Sequence, residues 1–261
     1  MEKFTITNRR GLKIFGYIRK SKYSIGVVFI VHGLAGYKEE LGVSKMADTF
    51  LDNNYTVIAF DSTNGRGESE GEYEKTTAQK RYDDLCDVIM WAQSQEWHVK
   101  PFILVGMSLG GYVVAQYAED NPKRIKAVFL FATTVGGAET IATMAEFKPE
   151  KLKDWKESGW FIHKSKSQPG LEFKLPWSYI EELCTHDLKP NAHKLTMPVL
   201  FMVGEKDTSC PYKYQKMLYD LIPANADKEI HTIKGAEHTF YASEHLEQLG
   251  TILDGWIKKL K

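Results

Sequence analysis

The residues most able to do chemistry stand at Gly106-Met107-Ser108-Leu109-Gly110. A serine flanked in this way by glycines suits a sharp strand-to-helix turn, because a Cβ at either glycine would meet neighbouring backbone while the hydroxyl is lifted above a sheet edge. The apolar run Phe102 to Val105 precedes the motif, and a helical stripe of Gly110, Val113, Val114, Tyr117 and Ala118 follows it. Backbone N–H groups at a helix start also favour developing negative charge. The plainer alternative is a glycine-rich turn with a helix-capping serine.

A serine is inert near neutral pH without a base, and the base needs a carboxylate to hold its tautomer. Candidates lie at the ends of two later strand-like runs. Gly204-Glu205-Lys206-Asp207 follows Val199 to Val203, and Gly235-Ala236-Glu237-His238 follows Lys228 to Ile233. The order Ser108, Asp207, His238 is the one expected for a serine on such a turn. Glu205 is the nearest rival to Asp207, and only geometry separates them. His32 and Asp61 also follow strand-like runs, but they come too early in the chain for the base and its acid. His163, His186 and His193 read as surface residues, and His98, His231 and His245 as structural ones.

These residues need a sheet to carry them. Gly26 to Val31, Val57 to Phe60, Phe102 to Val105, Ala127 to Phe131 and Val199 to Val203 are short, nearly continuous apolar runs, as in parallel strands covered on both faces. Between them lie stripes at three- and four-residue spacing: Val43, Met46, Ala47, Phe50 and Leu51; then Tyr82, Leu85, Cys86 and Ile89. A last stripe, from Leu246 to Leu260, reads as a C-terminal helix. Phe4 to Ile18 alternates around the turn-like Asn8-Arg9-Arg10-Gly11, so the chain is expected to open with an antiparallel hairpin. The order indicates an α/β open sheet.

Thr134 to Thr196 breaks this rhythm. It has no buried-strand run, yet it holds Trp155, Trp160 and Trp177 with Phe147, Phe161, Phe173 and Tyr179. A structureless loop of that length is improbable in a domain, so a mostly helical insertion is expected. Its aromatic residues either line an apolar substrate pocket or bind the insertion to the body. Seven lysines against four acids between Lys148 and Lys174 suggest a solvated face or a preference for an anionic substrate.

Composition excludes several classes. At 261 residues with 43% hydrophobic side chains, the chain can bury a sizeable core. Equal numbers of basic and acidic residues, 34 each, leave no long-range field to gather nucleic acid. Apolar runs of five or six residues fall far short of the roughly 20 that span a bilayer, so no integral membrane association is expected. Met1 to Thr5 passes straight into an alternating pattern without a charged-then-apolar stretch, so export is not expected. Three cysteines without C-x-x-C spacing suggest neither a disulfide framework nor a zinc site. A cytoplasmic location fits these features.

Taken together, His32-Gly33-Leu34, Asp61 to Gly71, the Ser108 turn, Gly204 to Asp207 and Gly235 to His238 resemble the α/β-hydrolase superfamily, and within it the small bacterial carboxylesterases that include feruloyl and cinnamoyl esterases. The similarity runs nearly end to end and is weakest across the insertion. Arg66 stands where that family usually has a histidine. The resemblance implies an α/β-hydrolase fold with a mostly parallel sheet flanked by helices. Residues 1–133 and 197–261 would form the core, and 134–196 a helical cap insertion. It further implies an oxyanion hole made by the backbone N–H groups of Leu34 and Leu109.

The expected function is a serine carboxylesterase acting on a small or medium ester through an acyl-enzyme, with Ser108, His238 and Asp207 as catalytic residues and no metal or cofactor. Trp155, Trp160 and Trp177 are candidate substrate contacts. A small-molecule ester is the expected partner, and a homodimer is left open. Thioesters, monoacyl lipids or peptides could be processed by the same three residues. A non-catalytic ligand-binding protein of the same fold is the alternative from another class.

Overall fold

A computed structural model of the chain describes residues 1–164 and 172–260. The chain opens with β1 (Glu2–Thr7) and β2 (Lys13–Arg19), antiparallel as expected. The Asn8 side-chain oxygen accepts from the N–H groups of Arg10 and Leu12, and Gly11 takes the positive φ that the turn needs.

The central strands are β3 (Gly26–Val31), β4 (Tyr55–Phe60), β5 (Phe102–Met107) and β6 (Ile125–Phe131). Between them run α1 (Leu41–Asp52), α2 (Ala78–Ala92) and α3 (Leu109–Asp120). The insertion follows, with α4 (Gly137–Phe147), α5 (Pro149–Ser158), β7 (Trp160–Lys164), β8 (Glu172–Pro176) and α6 (Trp177–Leu183). The body resumes with β9 (Val199–Gly204), α7 (Tyr212–Leu221), β10 (Lys228–Ile233) and α8 (Ser243–Lys259).

The main sheet has the order β1-β2-β4-β3-β5-β6-β9-β10 and is parallel from β4 to β10. Successive side chains of a strand point to opposite faces. Val27, Phe29 and Val31 accordingly pack with α2, α3 and α7, while Val28 and Ile30 pack with α1 and α8. The edge strand β10 is only half-buried and carries Lys228 and Glu229, charges that discourage pairing with another chain.

The chain runs from β3 outward to β4 and returns to place β5 on the other side of β3. Such a reversal opens a crevice beyond the carboxyl ends of the two strands, which is where open α/β sheets bind ligands. The loops after β3 and β5 are those that carry His32-Gly33-Leu34 and Ser108.

The insertion differs from the expected mostly helical segment in one respect: β7 and β8 form an antiparallel hairpin, a separate two-stranded sheet. The insertion lies against loops at the carboxyl edge of the main sheet. Phe173 of β8 meets Tyr73 edge-on at 5.5 Å and lies 4.1 Å below the Arg66 guanidinium. Glu182 of α6 accepts the N–H groups of Ala78 and Gln79, both at 3.0 Å. Its carboxylate thereby satisfies donors that the first turn of α2 leaves unpaired. Burial would raise that carboxyl, but bonds from His186, Gln79 and Ala78 hold it below the usual range.

Candidate active site

Ser108 links β5 to α3 with φ +54°, a left-handed conformation unusual for a residue with a Cβ. Its N–H donates to Phe131 and its carbonyl accepts from Tyr112 and Thr134. Around it the backbone is too crowded for side chains. A Cβ at Gly106 would strike the Gly110 carbonyl, one at Gly110 would strike the Val31 carbonyl, and one at Gly33 would sit 3.3 Å from the Ser108 Cβ. The loop after β3 is thus pressed directly against the serine.

Two strands away, the loops after β9 and β10 are joined. Lys206 N–H donates to the Ala236 carbonyl and Glu205 N–H to that of Ile233. A hydrogen-bonded line results. Ser108 Oγ lies 3.0 Å from His238 Nε2, and His238 Nδ1 lies 2.8 Å from Asp207 Oδ2. The other Asp207 oxygen accepts the N–H groups of Ser209 and Cys210, each at 2.8 Å. Burial would raise the Asp207 carboxyl, but His238 and these two N–H groups hold it below the ordinary carboxylate range. An ionised Asp207 can fix the imidazole tautomer that leaves Nε2 free to take the serine proton.

Geometry separates the rivals. Glu205 accepts the N–H of Gly235 at 2.8 Å, so it supports the turn that carries His238 and not the ring itself. Asp61 is fully buried and binds Lys38 through both the backbone N–H and Nζ, as well as the N–H of Glu68. It ties the loop after β4 to the loop after β3. His32 accepts the Ser62 N–H at Nε2, which puts its proton on Nδ1, 2.7 Å from the Gly33 carbonyl. Burial, with the nearby Arg81 charge, pushes its pKa down to about 4, so it is a neutral strut.

One residue of the site has no counterpart in the sequence reading. Arg81, fully buried in the first turn of α2, donates from Nη1 to the Gly33 carbonyl at 3.1 Å and from Nη2 to the Leu34 carbonyl at 2.7 Å. Its position could have signalled it: Ala78, Arg81, Leu85, Val88 and Ala92 make one buried stripe, where a charge needs a reason. On the serine side, Leu109 is the first residue of α3, so its N–H has no intrahelical acceptor.

The family model described as serine aminopeptidase, S33, matches residues 23–244. The chain belongs to this hydrolase family. Palmitoyl-protein thioesterase ABHD10, mitochondrial, from Homo sapiens is 26% identical over 255 residues, covering 97% of this chain and 79% of the relative. Among solved structures, Est1E from Butyrivibrio proteoclasticus with bound ferulic acid superposes with a TM-score of 0.79 at 20% identity, covering 98% of each chain. Alpha/beta hydrolase domain-containing protein 10 from mouse gives 0.80 at 21% identity, covering 100% of each. The sheet order and these likenesses establish the α/β-hydrolase fold.

In this S33-family hydrolase Arg66, the departure from the esterase pattern, reaches the Ala35 carbonyl at 3.1 Å while its guanidinium covers Phe173, so it links the insertion to the loop after β3. Of the three tryptophans, Trp155 is 3% exposed and packs on Phe161, Trp177 and Tyr179, leaving little of it to line a pocket. Trp177 is half-buried in that cluster, and Trp160 is exposed.

His186, expected at the surface, is instead mostly covered, bonded to Glu182 and edge-on to Tyr112. Of the lysine-rich stretch, Lys151, Lys153, Lys156 and Lys174 are exposed, and Lys166 lies outside the described residues. Lys148 is drawn inward to Ser209 Oγ at 3.2 Å, and burial, with the nearby Lys151 charge, lowers its pKa. Cys210 lies against Thr134, and burial beside Asp207 pushes its thiol up to about 12, which keeps it unreactive.

A surface depression of about 450 Å³ between α1 and α8, lined by Lys45, Asp52, Glu247 and Asp254 among others, includes none of the Ser108, His238 and Asp207 set. Among the described residues no group of His, Cys, Asp and Glu is arranged to hold a metal ion. No helix among them is long and apolar enough to cross a membrane.

Proposed function

We propose that this hydrolase is a serine carboxylesterase acting on a small or medium carboxylic ester through an acyl-enzyme. The observation that carries the reading is the unbroken line from Ser108 through His238 to Asp207, with contacts of 3.0 and 2.8 Å. Ser108 Oγ attacks the ester carbonyl as His238 Nε2 takes its proton, and Asp207 stabilises the imidazolium. The N–H groups of Leu34 and Leu109 donate to the developing alkoxide. Collapse expels the alcohol, protonated by His238. Water then repeats the sequence on the acyl-enzyme, and these steps call for no metal or cofactor.

Residues 134–196 act in this reading as a cap over the core formed by 1–133 and 197–261, and a small-molecule ester enters between them. The free thiols of Cys86, Cys184 and Cys210 fit a reducing cytoplasm. A fluorophosphonate probe tests the reading directly. Labelling is expected at Ser108, located by mass spectrometry, and is expected to vanish in His238→Ala; an unlabelled wild-type protein would overturn the reading.

The match to a palmitoyl-protein thioesterase over 97% of the chain supports a second substrate class, acyl thioesters, on the same residues. Turnover of oxygen esters and thioesters of equal acyl length decides between them. A higher kcat/KM for the thioester would move the assignment.

A further inference from the structure

The mechanism above gives no task to the buried charge of Arg81. Arg81 is 0% exposed, and no carboxylate forms an ion pair with it among the described residues. Its donors go to Thr76 Oγ1 at 3.2 Å and to the carbonyls of Gly33 and Leu34. Burying a guanidinium without a directly paired carboxylate is costly; burial lowers its pKa, with Tyr73, Tyr179, Asp84 and Asp61 acting the other way. Its place in the first turn of α2 sets it against the positive end of the helix dipole as well. Neutral side chains could hold two carbonyls at lower cost, so packing alone does not explain a cation here.

We propose that Arg81 is the positioning residue of the oxyanion site: it holds and polarises the peptides on both sides of Leu34 so that the Leu34 N–H points at the oxygen that becomes negative. This rests on the reading of Ser108 as nucleophile. A peptide unit is planar and trans, so its carbonyl and its N–H point in opposite directions. Fixing the Gly33 carbonyl from behind, by Arg81 Nη1 at 3.1 Å and His32 Nδ1 at 2.7 Å, therefore fixes the Leu34 N–H toward the front. The front is where Ser108 stands, since a Cβ on Gly33 would lie 3.3 Å from the serine Cβ.

The charge adds what a neutral donor would not. A cation on the carbonyl oxygen draws electron density through the amide and strengthens the N–H as a donor. Asp84 and Asp61 act on Arg81 at a distance, and the tetrahedral intermediate would add a further negative charge one peptide unit away. An interaction that strengthens in the transition state raises kcat and leaves ground-state binding nearly unchanged.

The test compares wild type with Arg81→Met and Arg81→Lys on one ester, with thermal unfolding measured alongside. For Arg81→Met, kcat is expected to fall by about 10- to 100-fold, less than the roughly 10² to 10³ for removing an oxyanion donor outright, with KM nearly constant. Affinity for a tetrahedral boronic acid inhibitor should fall by the same factor as kcat/KM, while that for the planar carboxylate product stays unchanged. Arg81→Lys, which keeps the charge but loses the fork, should fall between, and it carries the test if Arg81→Met does not fold.

Unchanged kcat in a folded variant, or a boronic acid affinity that does not follow kcat/KM, would overturn the role. Failure of the wild type to react with a fluorophosphonate would instead bring down the reading of Ser108. Labelling of the wild type with Arg81 variants at full rate would remove only the role of Arg81.

Discussion

Around Ser108 the body of the protein is held by main-chain contacts that admit no added carbon at Gly106 or Gly110, whereas beyond its first residue, Thr134, the insertion meets the body largely through side chains: Phe173 under Arg66, Glu182 on the start of α2, and Lys148 on Ser209. Backbone crowding fixes positions to a few tenths of an ångström and has no gentle substitution. Side-chain contacts are each worth on the order of 1 kcal/mol and can be exchanged one at a time. Under the proposed function, the body would keep the reaction unchanged and the insertion would let its context vary.

Substitutions can break this contrast in order of expected size. Ser108→Ala should lower ester turnover by on the order of 10⁶-fold, measured with a chromogenic ester, while the unfolding midpoint stays close to wild type. Asp207→Asn should lower kcat by roughly 10⁴-fold through the wrong imidazole tautomer, and Glu205→Gln far less; equal losses from both would assign the acid wrongly.

In the insertion the large effect should be on stability. Trp155→Ala removes the centre of the aromatic cluster and is expected to cost about 3–5 kcal/mol in denaturant unfolding, and a stability within 1 kcal/mol of wild type would contradict that packing role.

A pH experiment sharpens the body's side of the comparison. The folded protein keeps His32 neutral, with its pKa near 4, while the unfolded chain takes up the proton near the ordinary value of 6.5. The stabilising contribution is thus fully present above that ordinary value and is lost as pH falls toward 4, by up to about 3 kcal/mol. Stability of His32→Gln should be flatter over that window, and a parallel pH dependence would rule the residue out. The smallest effect belongs to Trp160→Ala: a stability change within about 0.5 kcal/mol at this exposed site, with altered relative rates among esters if the insertion selects them. Unchanged relative rates would end that idea.

The same contrast explains what the amino-acid sequence revealed. The hydrogen-bonded line of Ser108, His238 and Asp207 could be anticipated because the proposed chemistry demands particular residue types at strand ends, in an order the topology imposes, and the buried strands advertise themselves as apolar runs. The hairpin of β7 and β8 could not. Trp160 and Ile162 are exposed, so its apolar residues follow neither face of a strand cleanly. Arg81 escaped because an arginine in a helix reads as a surface residue until its neighbours on the stripe are seen to be buried. Glu182 lies 104 residues from the N–H it bonds, a pairing no local pattern carries.

The separation of Ser108 from His238 by 130 residues also bears on how the protein comes into being. At roughly 5–20 residues per second, a ribosome needs roughly 7–26 s to reach the histidine after the serine has been made. β5 and its helix can form while β9 and β10 are still absent. Under the proposed mechanism, the nascent chain holds throughout that interval a serine with no base, and hydrolytic activity would begin only once the far edge of the sheet is in place. Recovery of activity during refolding would therefore report completion of the domain, later than signals from its central strands.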